Sequence, residues 1–193
     1  MQKNNQEGDT SQAILILSQK LFQERGYNAF SVRDLSREIG IKPASIYYHF
    51  PSKADLAYAL VIRQRGKFKL AFAEIDSQTD DSNKKLKLYL KLFYEDYRKT
   101  KSICFCSMLA ADFASLPLQV QQEVKRLFAD HEQWLAKMLE EGKRTKVLNF
   151  KGTPEIRAKN IFAAIEGSTI SACTFGDEQR LTSAAEWIES MFK

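Results

Sequence analysis

Residues 43–53 read PASIYYHFPSK. Proline suits the first turn of a helix, where its missing N–H leaves no bond unmade, and the residue before a proline is pushed out of helical backbone. The stretch therefore predicts a short helix from Pro43 to about His49, closed by Phe50-Pro51. At about 100° per residue, Ile46 and Phe50 share one face, while Ala44 and Tyr48 point nearly the opposite way with Ser45 and Tyr47 beside them. Burying Tyr47, Tyr48 and His49 together would demand a hydrogen-bonding partner for each polar tip. An outward face that meets a polar partner molecule escapes that demand. Surface aromatics half-packed on a neighbouring helix are the other reading of the stretch alone.

Working outward, Ser31-x-x-Asp34 is a capping-box variant that opens a helix. Val32, Leu35 and Ile39 form its apolar stripe and Gly40 stops it. Only Ile41 and Lys42 separate that glycine from Pro43. Upstream, Ile14, Leu17 and Leu21 line one face of a first helix, from about Ser11 to Arg25, joined by Ala13 and Phe22 and ended by Gly26. Downstream, Ser52-x-x-Asp55 caps a fourth helix that reaches roughly Asp76. Two short helices joined by a tight glycine-containing turn describe a helix-turn-helix, whose last helix enters the DNA major groove. Small Ala44 and Ser45 allow close approach to base edges. The tyrosine hydroxyls, His49 and Lys53 can reach phosphates, as can backbone N–H groups near Ser31 and Pro43.

The charge distribution agrees. The 193 residues carry a net charge of +5. Residues 1–70 hold 11 Lys/Arg against 6 Asp/Glu, and residues 71–193 hold 18 of each. A basic third on a neutral body points to a polyanion as the partner of that third, with chance asymmetry of a solvated surface as the alternative. Apolar residues make up 44% and charged residues 27%, which allows a sizeable core in a soluble chain. No apolar run approaches the roughly 18 residues of a membrane span. The opening MQKNNQEGDT has no apolar signal core, and three cysteines do not make a disulfide framework, so a cytoplasmic setting without membrane partners is expected.

Helical spacing continues to the end, with no alternating β-branched runs. A polar linker at Gln78–Asn83 is followed by helices at about 83–99, 102–114 and 117–141. A basic loop runs from Gly142 to Gly152. Thr153-Pro154-Glu155 then opens a helix that ends near Gly176, and a last one covers about 179–191. The expected fold is all-α: an N-terminal three-helix helix-turn-helix unit (1–53) and a C-terminal helical bundle (54–193), about nine helices in total.

From Ile14 to Leu60 the chain resembles the DNA-binding domain of the TetR family of bacterial transcriptional regulators. Leu21-Phe22, Gly26-Tyr27, Ser31-Val32, Asp34-Leu35, Gly40-Ile41 and above all Ile46-Tyr47-Tyr48-His49-Phe50-Pro51-Ser52-Lys53 carry the resemblance. It implies a homodimeric repressor that binds a palindromic operator in double-stranded DNA and is released when a small-molecule effector binds the C-terminal domain. By the same resemblance Tyr47, His49 and Lys53 are phosphate contacts. Lys42, Ala44, Ser45 and Tyr48 face the groove, and Ser31 and Arg33 begin the helix that meets the backbone. Ala44 stands where glycine is frequent, and Pro43 replaces a commoner polar residue.

In the C-terminal body the resemblance implies an effector pocket among helices four to eight. Phe93, Tyr97, Phe105, Phe113, Trp134 and Phe162 are its candidate lining, although most such aromatics serve as core. Small residues from Ala163 to Ala172 permit close helix approach, and Ile161, Phe162, Ile165, Ile170, Trp187 and Ile188 can supply apolar area to a dimer interface. Cys104 and Cys106 follow Lys101 at a helix start, which can lower a thiol pKa. Some TetR-like repressors sense electrophiles through a cysteine placed similarly, so a cysteine-triggered repressor is an alternative. A helical interaction protein without operator binding is another. No metal spacing, phosphate loop or nucleophile motif is present, so no enzyme, cofactor or metal is expected.

Overall fold

The computed structural model describes residues 2–192, with side chains from Thr10 onward except that of Cys106. Among the described residues it has nine α-helices and no strand. These are α1 (Gln2–Ala29), α2 (Val32–Ile39), α3 (Pro43–His49), α4 (Lys53–Gln78), α5 (Ser82–Thr100), α6 (Phe105–Ala111), α7 (Leu118–Arg144), α8 (Pro154–Phe175) and α9 (Gln179–Ser190). A single 3₁₀ turn, Phe113–Ser115, sits between α6 and α7.

The local signals act as expected at most ends. Ser31 and Ser52 each accept the backbone N–H three residues on, from Asp34 at 3.2 Å and Asp55 at 3.1 Å. Both hydroxyls donate back to the aspartate carboxyl, at 2.6 and 2.7 Å. Each cap is worth about 1 kcal/mol. Gly40 closes α2 in the left-handed region at φ 78°, and Gly176 closes α8 at φ 63°.

Gly26 breaks the helical geometry where expected, at φ 74°, ψ 171°, and after this kink a last short helical stretch runs to Ala29. Three boundaries differ from expectation. α1 begins at Gln2, well before Ser11. The expected helix 102–114 is cut to α6, because Asp112 turns its carboxylate back onto α1: Oδ2 accepts the Tyr27 N–H at 2.6 Å and Oδ1 the Asn28 amide at 3.1 Å. A Cβ on Gly26 would meet that same carboxylate at 2.9 Å, so the glycine serves both the backbone and the close approach. The loop expected to start at Gly142 starts later, since α7 runs through Arg144. The segment beyond packs inward through Leu148 and Phe150, both buried. Gly142 makes room for it, because a Cβ there would lie 2.6 Å from Leu148.

Two cores result. The first joins Ile14, Phe22, Leu35 and Ile46 to Leu56 and Leu60 of α4, Phe105 and Leu109 of α6, and Val120 to Leu127 of α7. The second gathers the far half of α4 with α5, the rest of α7, α8 and α9. Helices α4 and α7 run through both. Arg65 ties them together, its guanidinium donating to Asp130 at 2.9 Å and to the buried carboxylate of Glu123.

Candidate nucleic-acid interface

α3 is held from behind and left bare in front. Ile46 is fully buried and Phe50 nearly so, packed in one core with Val32 and Leu35 and with Ile39 at its margin. The opposite side is open. Tyr48 is 73% exposed and Tyr47 46%, and Lys42, Ala44 and Ser45 are exposed as well. His49 is half-buried at the end of the helix, its ring edge-on to Tyr48 at 5.2 Å. Arg33 is exposed on α2.

Two candidate contacts are already engaged within the chain. The Ser31 hydroxyl is taken up by its cap, so its hydrogen bonds go to Asp34 before any phosphate. The Lys53 ammonium donates to the Asn28 carbonyl at 3.3 Å and lies 4.4 Å from the centre of the Tyr27 ring. Burial lowers its pKa, with Asp112 pulling the other way. The acids near the interface are also answered. Ser31, then Arg25 and Arg37, holds the Asp34 carboxyl below its usual range, with ion pairs at 3.7 Å to Arg25 and 3.5 Å to Arg37. The helix-turn-helix thus presents Arg33 and Lys42 exposed, while the Asp34 carboxylate beside Arg33 in sequence is already paired.

The six aromatics proposed for an effector site do not form one wall. Phe93 and Phe162 both reach His131 on α7, with ring centres at 6.0 and 4.7 Å. Trp134 stacks on Phe72 and Tyr89 at 4.9 and 5.6 Å, while its indole N–H donates to Asp76 at 3.0 Å at the rim of a 550 Å³ groove. Tyr97 donates its hydroxyl to the Ala172 carbonyl at 3.2 Å. Phe105 belongs to the first core, near Phe22. Phe113 lines a separate groove of 370 Å³ between α6 and α7.

Residues the sequence reading passed over are more informative. His131 is buried among Phe68, Phe72, Tyr89, Phe93 and Phe162. Its Nδ1 is 3.0 Å from the Tyr89 hydroxyl, and burial drives its pKa down to about 3. Glu166 is buried on α8, and burial raises its pKa against the pull of hydrogen bonds from Ser107 and Cys104. Both were legible as polar residues in a core register: Leu127, His131, Leu135 and Met138 on α7, and Phe162, Glu166 and Thr169 on α8.

Cys104 lies buried at the head of α6. Its thiol donates towards Glu166, and Lys101 is drawn away to Glu178 at 3.2 Å and over the Tyr97 ring. Neither condition favours a thiolate. The side chain of Cys106 lies outside the described residues. Cys173 is half-buried on α8, and burial raises its pKa.

A bare helix backed by a two-helix clamp and followed by a long helical body is the build of a DNA-binding transcriptional regulator. A family model for bacterial regulatory proteins of the tetR family matches residues 14–60. The crystal structure of a TetR-family regulator from Agrobacterium tumefaciens superposes with a TM-score of 0.93 at 30% identity, covering 97% of this chain and 99% of that one. One from Legionella pneumophila gives 0.85 at 31% identity, covering 94% and 96%. Among curated relatives, an HTH-type regulator of Bacillus subtilis, YxaF, is 26% identical over 185 residues, 94% of each chain. The chain belongs to the TetR family, whose members are DNA-binding regulators and not enzymes.

Proposed function

We propose that the chain is a cytoplasmic homodimeric repressor. Residues 1–53 bind a palindromic operator, and residues 54–193 hold the dimer contact and a small-molecule effector that releases DNA. The observation that carries the reading is the split of α3: Ile46 is sealed in the core while Tyr48, two residues on and about 200° around the helix, has most of its surface free. Among the described residues no helix is long and apolar enough to cross a membrane.

The dimer reading rests on the outer stripe of α8 and on α9. Ile156, Ala163, Gly167 and Ile170 are exposed in helical register, with Phe175 and Trp187 beyond them. Gly167 faces open space, which suits close approach of a second copy's helix. Ile161, Phe162, Ile165 and Ile188 are consumed by the chain's own core, so the contact area falls to the exposed set. A two-fold pair would place two α3 helices in successive major grooves, as a palindrome requires.

A gel-shift of the purified protein against genomic fragments tests the function. Selection of particular fragments over competitor DNA is expected, and indifference to sequence would leave a helical interaction protein as the better account. Light scattering of Trp187→Asp should return half the wild-type mass; an unchanged mass would move the dimer contact elsewhere.

A further inference from the structure

Two hollows meet at Lys67 of α4 and Asp96 of α5, which line both. The outer one, of about 440 Å³, lies between α1, α4 and the end of α5. Ile16, Lys20 and Gln23 reach it from one side of α1, at the spacing that puts helical residues on a common face. Gln23 also donates its amide to the Ile103 carbonyl at 3.0 Å, which ties α1 to the segment after α5. The inner hollow, of about 180 Å³, is walled by Phe68 and Ala71 of α4 and by Leu92 and Phe93 of α5.

The charges of the outer hollow do not balance. Lys20 and Glu24 pair with each other at 3.7 Å. That leaves Arg63, Lys67 and Lys99 facing Asp96 alone. Among the described residues these cations form no ion pair; Lys67 and Lys99 act on Asp96 from a greater distance. The Lys67 pKa is lowered, first by loss of water around the ammonium and then by the like charge of Arg63, with Asp96 pulling the other way. Cations crowded in this way gain from an incoming anion. The inner hollow is the reverse, since its walls are apolar and aromatic. Gln64 lines it as well, and its Oε1 is buried with no hydrogen-bond partner. An acceptor there repels a carboxylate, so an anionic head belongs at the basic mouth and an uncharged body inside. The inner volume lies below the roughly 300–1,000 Å³ of drug-sized sites, which limits that body to about one ring.

We propose that the joined hollows bind a small aromatic acid, its carboxylate held by Arg63, Lys67 and Lys99 and its ring set against Phe68 and Phe93. The proposal rests on the reading of the chain as effector-controlled, and it names the ligand class that reading leaves open. Because α1 supplies one wall, the occupant touches the DNA-binding unit and the C-terminal body at once.

Four probes test it by calorimetry on the full-length protein: phenylacetate, 2-phenylethanol, 2-phenylethylamine and acetate. Phenylacetate should bind about tenfold more tightly than the alcohol, the equivalent of roughly 1.4 kcal/mol, and the amine should not bind. Acetate, a head without a ring, should bind about tenfold more weakly than phenylacetate. Lys67→Gln should erase the preference for acid over alcohol, and Arg63→Gln should reduce it. Ala71→Leu, which fills the inner hollow, should weaken phenylacetate and leave acetate unchanged. Equal binding of acid and alcohol, no binding of the acid, or an undiminished preference in both charge variants would overturn the proposal. So would acetate as tight as phenylacetate, which means an adventitious ion only, or a phenylacetate affinity untouched by Ala71→Leu. A gel-shift with each probe separates the two readings. Phenylacetate binding without DNA release keeps the ligand class and breaks the effector reading. DNA release by 2-phenylethylamine, with no phenylacetate binding, keeps the effector reading and breaks the ligand class.

Discussion

Tyr48 and His131 are both polar aromatic residues set on helices that pack through apolar stripes, and they end in opposite surroundings. Tyr48 stands on the open side of α3, in water, where a polar tip without a protein partner loses nothing. His131 stands on the inner side of α7 among five aromatic rings, where one ring nitrogen meets Tyr89 and the other meets nothing. The first arrangement keeps a group available to an outside partner at no cost to folding. The second spends folding free energy to hold a group inside, and native proteins keep such groups scarce. An unpartnered polar atom therefore marks an interaction surface when it is exposed, and marks strain or a missing guest when it is buried.

Acid titration should separate the two residues most. Unfolded His131 gains its proton below about pH 6.5, while the folded protein resists until about pH 3. The lowered folded pKa means that its contribution is intact above 6.5 and is lost as pH falls. The slope approaches about 1.4 kcal/mol per pH unit, so roughly 3 kcal/mol disappears by pH 4.5. Urea unfolding at stepped pH measures this, and His131→Gln should flatten the profile. A wild-type profile no steeper than the variant's would remove His131 from the argument.

The matching experiment on the exposed side is Tyr48→Ala. Loss of a groove-facing contact should weaken operator binding by about 1–3 kcal/mol, with unfolding free energy within about 0.5 kcal/mol of wild type. A large loss of stability would mean that the ring is packed after all. Asp112→Ala falls between the two regions, since it strips the buried Tyr27 N–H of its acceptor. About 1–2 kcal/mol of stability should go, read by the urea midpoint. Lys53→Ala should have the smallest effect. Binding to all sequences weakens, and the salt slope falls by about 1. Loss of the contact with Tyr27 removes about 0.5–1 kcal/mol of stability.

Most of the fold was legible because its signals are local. The caps at Ser31, Ser52 and Thr153, Pro43 and Pro154 at first turns, and Gly40 and Gly176 at ends each act within one turn, so α2, α3, α8 and α9 lie where the sequence puts them. The inward and outward sides of α3 also follow from spacing alone. The misplacements share a cause. α6 ends early because Asp112 answers an N–H 85 residues away. α7 runs on because Gly142 opens a slot for Leu148. Neither partner can be identified from neighbouring residues.

The sequence by itself determined the helices, their caps and the bare face of α3, since helix geometry converts residue spacing directly into direction. Only the tertiary structure decided which aromatics meet, which carboxylates find cations, and where buried polar atoms such as His131 Nε2 are left unanswered. Those outcomes depend on distances between residues far apart in the chain, which are fixed only when α4 through α8 pack together.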